Sequence, residues 1–550
     1  MKKNLTVWNL FSVVILAAFA LFIMYPIFLI LYRSVIHGDT GALTLQNFAH
    51  FFAKKFYWGT MVNSLKVTVV STILSAALGL PLAYLMRSVK IKGSSFLNIL
   101  IVISYLSPPF IGAYAWIQML GRQGVITQLL NDTFGLHYGG VYGFAGIVLV
   151  FTLQSFPLVY IYVSGALKNL DNSLNEAAES LGCSRMGRIW KIIVPLVMPT
   201  LLASSMLVFM RVFADFGTPM LIGEGYKTLP VLIYNQFMGE VSGDDGFAAA
   251  ICCIVIGLTI VMFFVQRFLA GRNTYAMTAL KPMAAESIGG LRNILAHLAV
   301  YMVVGLAILP QFVVVYTSFL ATNGGQVFTG GFALQSYDAT LFAKDNDVIW
   351  HTYFLGLCAI AAVLVLGVLI AYLSVRKRNT LNSILDVMTM FPFIIPGSVL
   401  GIAFVFAFNK SPIILTGTAL IMIISFAVRR MPYTVRSSTA ILGNISPSIE
   451  EAAISLGASD MTTFRKITVP MMMPGVLSGA IMSWVTIISE LSSSIILYTN
   501  STQTLTVSIY TEVIRGNYGN ASAYATILTV TSILSLLLFY KVTGRRDVSV

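Results

Sequence analysis

Three charged side chains stand in stretches that are otherwise apolar. Arg211 and Asp215 are four residues apart in the run 193–222, and Glu490 lies 275 positions beyond Asp215 in the run 469–499. Charges at membrane depth are costly and usually face a bundle interior or an aqueous path. The chemistry these residues suit is therefore that of a conduit, with a guanidinium and two carboxylates lining the route of a polar solute. A plainer reading stands beside it, in which Arg211 and Asp215 pair on one helix face for structure alone. Neither acid suits a high-affinity metal site, because a conduit must release its cargo. Nothing catalytic accompanies them. The sequence has no GxxxxGK[ST] phosphate loop, no HExxH, no GxSxG and only five histidines.

A second pattern lies between the apolar runs. Residues 176–195 read EAAESLGCSRMGRIWKIIVP and residues 451–470 read EAAISLGASDMTTFRKITVP. Each is preceded by S-x-x-E, Ser173 to Glu176 and Ser448 to Glu451, which predicts a capping box at a helix start. Leu174, Ala177, Ala178 and Leu181 then recur at helical spacing, as do Ile449, Ala452, Ala453 and Leu456. That is one narrow apolar face. Gly182 and Gly457 come next as helix-ending residues, and Ser184 and Ser459 can cap a second helix running to Pro195 and Pro470. A helix of two turns is marginal alone, so something must pack on it. The partner is either the chain's own bundle or, given two equivalent copies, a two-fold symmetric protein.

The rest of the chain supplies the frame for both patterns. Of 550 residues, 57% are hydrophobic and 10% charged, against about 25% charged in soluble domains. Mean hydropathy is +0.84. The net charge of +13 fits a membrane protein with Lys and Arg in its cytoplasmic loops better than a nucleic-acid binder. A span needs about 20 apolar residues, which gives twelve candidates: 9–33, 62–86, 97–120, 141–165, 193–222, 247–268, 294–319, 349–374, 383–408, 411–428, 469–499 and 522–540. The first is too long for a signal-peptide core. With the N-terminus inside, most Lys and Arg fall on the cytoplasmic side, Arg185, Arg188, Arg376, Lys377, Arg429, Arg430 and Arg436 among them. Both chain ends and both repeated segments then lie there too. The four cysteines include no CxxC pair, so neither a disulfide framework nor a zinc site is expected.

The chain is also duplicated. Phe156–Pro199 matches Met431–Pro474 at an offset of 275, LGLPLAYL (78–85) matches LGVLIAYL (366–373), and TLPVLIY (228–234) matches TLTVSIY (504–510). The expected fold is an all-α membrane protein of about twelve transmembrane helices in two tandem six-helix repeats. Residues 1–268 form the first half, 269–293 a polar linker and 294–550 the second half.

EAA, three residues and Gly, placed between the fourth and fifth spans of a six-span unit, resembles the permease subunits of binding-protein-dependent ABC importers. The resemblance covers essentially the whole chain. It implies that 173–195 and 448–470 are coupling segments for a cytoplasmic ABC ATPase homodimer, carried by Glu176, Ala177, Ala178, Leu181, Gly182, Glu451, Ala452, Ala453, Leu456 and Gly457. It implies no cofactor on this chain, with ATP and Mg held by the partner ATPase, and no enzymatic activity of its own. It further implies an extracytoplasmic substrate-binding protein, surrounding membrane lipids, and a multi-pass place in a bacterial cytoplasmic membrane. The fused halves, with ADFGTPMLIGEGY (214–226) and ELSSSIILYT (490–499), look like ferric-iron importers. Transporters for aminoethylphosphonate, polyamines and sulfate share the layout. The rival classes are an ion-coupled secondary transporter, which would carry coupling charges in several spans and no docking helices, and a membrane enzyme, which the missing catalytic clusters disfavour.

Overall fold

A computed structural model of the chain describes residues 7–36, 41–135, 138–239, 245–270, 285–323, 327–342 and 347–543. Most of the expected linker lies outside these. Among the described residues nine helices are long and apolar enough to cross a membrane, from Val7–Ser34 to Tyr518–Leu538. Two more spans are bent pairs. Ser94–Tyr105 turns by 99° into the helix starting at Pro109, and Thr380–Ile394 turns by 110° into Gly397–Phe408. The expected third and ninth spans are thus broken rather than straight. Pro108 and Pro396 stand at the two breaks; proline removes a backbone donor and disfavours helix in the residue before it.

The expected tenth span, 411–428, is misplaced. The helix in its place is Ala419–Asn444. It continues through Arg429, Arg430 and Arg436, so the first two are residues of a helix interior and not of a loop. Its counterpart is Gly143–Lys168, and each carries an internal proline, Pro157 and Pro432. Among the described residues it stands in the expected tenth place, beside up to eleven helices and bent pairs that are long and apolar enough to span a membrane.

The duplication reaches individual atoms. Ser64 Oγ accepts from Leu229 N at 2.8 Å, and Thr352 Oγ1 accepts from Leu505 N at 2.7 Å. These tie TLPVLIY and TLTVSIY, which form the buried short helices Leu229–Met238 and Leu505–Arg515, to the second span of each half. The only paired strands among the described residues are the hairpin Leu320–Asn323 with Val327–Phe332.

Helices in lipid gain little from the hydrophobic effect against each other and rely on close packing at small residues. A Cβ added at Gly79 would lie 2.7 Å from the Val159 side chain, and one at Gly367 would lie 2.8 Å from Thr434. Each glycine lets the second span of its half cross the fourth. Gly367→Val is expected to destabilise the bundle by about 1–3 kcal/mol, the range for overpacking. The check is the melting temperature in detergent; an unchanged value would mean that the two helices part without cost.

The halves interlock. Trp8, Ile15, Phe19, Ile23 and Ile30 of the first span join the core built mainly by the second half. Ala296, Val300, Val304 and Ala307 of the seventh span join the core of the first. The Trp8 ring lies 4.7 Å from that of Tyr372 and 5.3 Å from that of Phe464. The start of the first span, the end of the eighth and the second repeated segment therefore meet at one face of the bundle.

Candidate functional site

The repeated segments fold alike. Helices Ser173–Ser180 and Ser448–Ser455 end in Gly182 at φ 77° and Gly457 at φ 91°. Cys183 N donates to Ala178 O at 2.9 Å and Ala458 N to Ala453 O at 3.1 Å, the bond that closes a helix through a left-handed glycine. Ser184 and Ser459 cap the next helix as expected, each accepting at 3.2 Å, from Gly187 N and Thr462 N. One π-helical turn, Ile189–Ile193 or Phe464–Thr468, then carries the chain into the fifth or eleventh span.

The expected capping box does not form. Asn172 and Pro447 hold the cap positions without a side-chain capping bond to the helix backbone, and Ser173 and Ser448 are already helical. The chain turns one residue early, and Asp171 Oδ1 and Ser446 Oγ accept from the N–H groups of Ser173 (2.9 Å) and Ser448 (3.4 Å). Asn172 Nδ2 donates to Glu176 Oε1 at 3.0 Å.

The apolar face of each segment points mainly away from the chain. Ala178 and Ala453 are buried, while Leu174, Ala177, Ile449 and Ala452 are exposed along with Glu176 and Glu451. Leu181 is 88% exposed and Leu456 is 90% exposed. The two segments are held differently. Glu450 pairs with Arg376 at 2.9 Å in a largely buried contact, and Arg376 Nη2 donates to Ile445 O at 2.7 Å. Asp460 pairs with Lys377 at 2.9 Å. In the first segment Asn175 stands in the place of Glu450, and one ion pair there, Arg188 with Glu179 at 2.6 Å, is internal.

The membrane charges come together at the interface of the halves, and not as a helix-face pair. The fifth span ends at Phe213 and the eleventh at Ile488, so Asp215 and Glu490 occupy breaks instead of the continuous spans expected. Each acid caps the turn of chain just beyond its break. Asp215 Oδ1 accepts from Thr218 N at 2.9 Å, and Glu490 Oε1 accepts from Ser493 N at 3.1 Å. A Cβ at Gly217 would lie 3.0 Å from Leu491, and the Phe216 ring stands 6.0 Å from that of Tyr510, so the two breaks touch across the halves. Arg211 stacks on Tyr105, with its guanidinium carbon 4.7 Å from the ring centre.

Arg429 and Arg430 are candidate site residues that the residue pattern alone did not reveal. Both pair with Glu490, one on each carboxylate oxygen, in a contact where Glu490 is 2% exposed. A signal was present: both lie in register with Gln154 and Ser155, interior residues of the matching helix. Gln154 Nε2 donates to Pro109 O at 2.8 Å, while Arg429 packs on Gly397, the residue equivalent to Pro109. Tyr105 has Arg211, Tyr433 and Arg430 as electrostatic neighbours, and Asp215 has Arg211 and Glu490. Among the described residues no group of three or more His, Cys, Asp or Glu is placed to hold a metal ion.

Comparison with known proteins gives the same picture. The chain is 30% identical to the ferric transport system permease protein FbpB of Actinobacillus pleuropneumoniae over 546 residues, 97% of this chain and 78% of that protein. It is 24% identical to the Fe(3+)-transport system permease protein FbpB 2 of Haemophilus influenzae over 483 residues, 87% of this chain and 89% of that protein. The molybdenum transport system permease protein ModB of Escherichia coli (strain K12) is 28% identical over 218 residues, 39% of this chain and 93% of that protein. Residues 6–275 and 363–546 match a single family, and the repeat of its fold in both halves agrees with the duplicated segments and their shared hydrogen bonds. The chain is a multi-pass permease of the ABC importer type and belongs to the family of binding-protein-dependent transport system inner membrane components.

Proposed function

We propose that the chain is the transmembrane subunit of an ATP-driven importer that brings ferric iron, delivered by an external binding protein, into the cytoplasm. The observation that carries the coupling role is the pair of matched segments with Leu181 and Leu456 presented outward. They suit two equivalent grooves on an ATPase homodimer, which would bind and hydrolyse ATP with Mg. That docking sets the orientation, with both segments and both chain ends in the cytoplasm. Support for iron is the likeness to FbpB across nearly the whole chain. The same architecture would serve aminoethylphosphonate, a polyamine or sulfate, and the cargo assignment is tested as such.

The mechanism uses the continuity of the fifth and eleventh spans. Each begins at a coupling segment and runs to a break at Asp215 or Glu490. ATP-driven closure of the dimer would draw the segments together and pass that movement along two helices to the two breaks. There the acids cap the chain that leads into Leu229–Met238 and Leu505–Arg515, the buried short helices toward the opposite face. Alternating access would then be a rocking of one half against the other.

The test is radiolabelled uptake in liposomes holding this chain with purified ATPase and binding protein, with ferric iron and aminoethylphosphonate as separate cargoes. ATP-dependent iron accumulation is expected. Accumulation of aminoethylphosphonate without iron would overturn the cargo, and uptake that continues without the ATPase would overturn the mechanism.

A further inference from the structure

The centre of the interface carries an excess of positive charge. Arg429 and Arg430 share the single carboxylate of Glu490, and Ser493 also donates to it. Both oxygens of that carboxylate are engaged by an arginine. Arg211 lies against an aromatic ring and has no carboxylate in ion-pair reach among the described residues, while Asp215 is turned to cap Thr218. Three guanidiniums therefore meet two carboxylates. The charge comes from both halves, since Tyr105 neighbours Arg211 of the first and Arg430 of the second. Tyr105, Tyr162 and Tyr433 neighbour one another in the same place, adding hydroxyl donors. Planar guanidiniums and phenols in a partly dry site are the groups that bind oxyanions and carboxylates. They repel a bare cation, and a trivalent one three times as strongly as a monovalent one.

We propose that the species crossing between the halves is an anion, either ferric iron inside a complex whose oxygen ligands leave it negatively charged, or a free oxyanion. This rests on the reading of Arg211, Asp215 and Glu490 as pathway residues. Arg211 is the specificity-determining group, because it alone of the three arginines is not committed to a carboxylate. Hard Fe(III) takes oxygen ligands readily, and such a complex would travel without metal ligands from the permease.

The experiment is uptake into the same liposomes with doubly labelled cargo. Iron-55 is supplied with phosphorus-32 phosphate, and in a separate arm with carbon-14 citrate; molybdate labelled with molybdenum-99 and a labelled polyamine are offered alone. Iron entering with a fixed ratio of one companion label supports the proposal and the iron reading together. Molybdate entering without iron supports the proposal and overturns iron. Iron entering with neither label, or the polyamine entering, overturns the proposal. Arg211→Gln is expected to lower uptake at least tenfold while coprecipitated ATPase stays at the parent level, and Arg211→Lys, which keeps the charge but not the planar fork stacked on Tyr105, to lower it several-fold less. Equal loss in both variants would mark Arg211 as a packing residue and defeat its assignment.

Discussion

Replacing both Leu181 and Leu456 with aspartate is expected to abolish ATP-driven uptake and to remove the ATPase from the purified complex, with the permease itself intact. Each leucine is almost wholly exposed, so its loss takes no contact from the bundle, and a surface change of this kind usually moves stability by no more than about 0.5 kcal/mol. Burying a leucine in a partner's groove is worth about 1.5–3 kcal/mol. Two such losses, plus the cost of desolvating two carboxylates, weaken docking by at least about two decades at 1.4 kcal/mol per tenfold. Single substitutions should show part of the effect. The first segment lacks the Arg376–Glu450 clamp, so it orders itself on the partner at greater entropic cost, and Leu181→Asp should be the milder of the two. The measurements are coprecipitation of the ATPase, uptake, and the detergent melting temperature. Undiminished coprecipitation by the double variant would end the coupling assignment.

Much of this was open to a reading of the residues. The segments were legible because a short amphipathic helix, a glycine turn and a serine cap are local devices, and the duplication let each copy check the other. The breaks at 213–217 and 488–494 were not. Each lies inside an apolar run long enough to read as one span, and although Asp215 and the cluster of Ser489, Glu490, Ser492, Ser493 and Ser494 make these stretches polar, the docking of Phe216 and Gly217 onto the opposite half is a contact between distant residues. The capping boxes failed for a similar reason: S-x-x-E fits the box, yet the connection from the preceding span starts the helix one residue sooner. Arg429 and Arg430 were misplaced because a positive pair next to an apolar run reads as a loop on the cytoplasmic side. Only Glu490, 60 residues further on, pairs with both and lets them lie inside a helix.

That pairing carries the largest expected effect on the bundle itself. Glu490→Ala should cost about 3–5 kcal/mol, the range for leaving a buried ion partner uncompensated, and here two guanidiniums are left at once. A lower yield of monodisperse protein and a lower melting temperature are expected. Asp215→Asn, at the equivalent position of the first half, tests whether the position or the pairing matters. Asn keeps an oxygen to accept from Thr218 N and leaves no paired arginine stranded, so its cost should stay near the roughly 1 kcal/mol of one net hydrogen bond. The first half also supplies the rescue. It builds the same break with Gln154 and Ser155 in place of the arginines, and Gln154 finds its partner in Pro109 O. The triple change Glu490→Gln, Arg429→Gln and Arg430→Ser should therefore recover most of the lost stability, because replacing a whole buried ionic group is often neutral where removing one member is not. A single Glu490→Ala variant as stable as the parent, or a triple variant no more stable than it, would defeat the assignment of Glu490 as the charge that lets two arginines lie within a membrane helix. If the triple variant instead folds well but no longer transports, the charged group of Arg429, Arg430 and Glu490 is kept for transport, since stability alone would not require it.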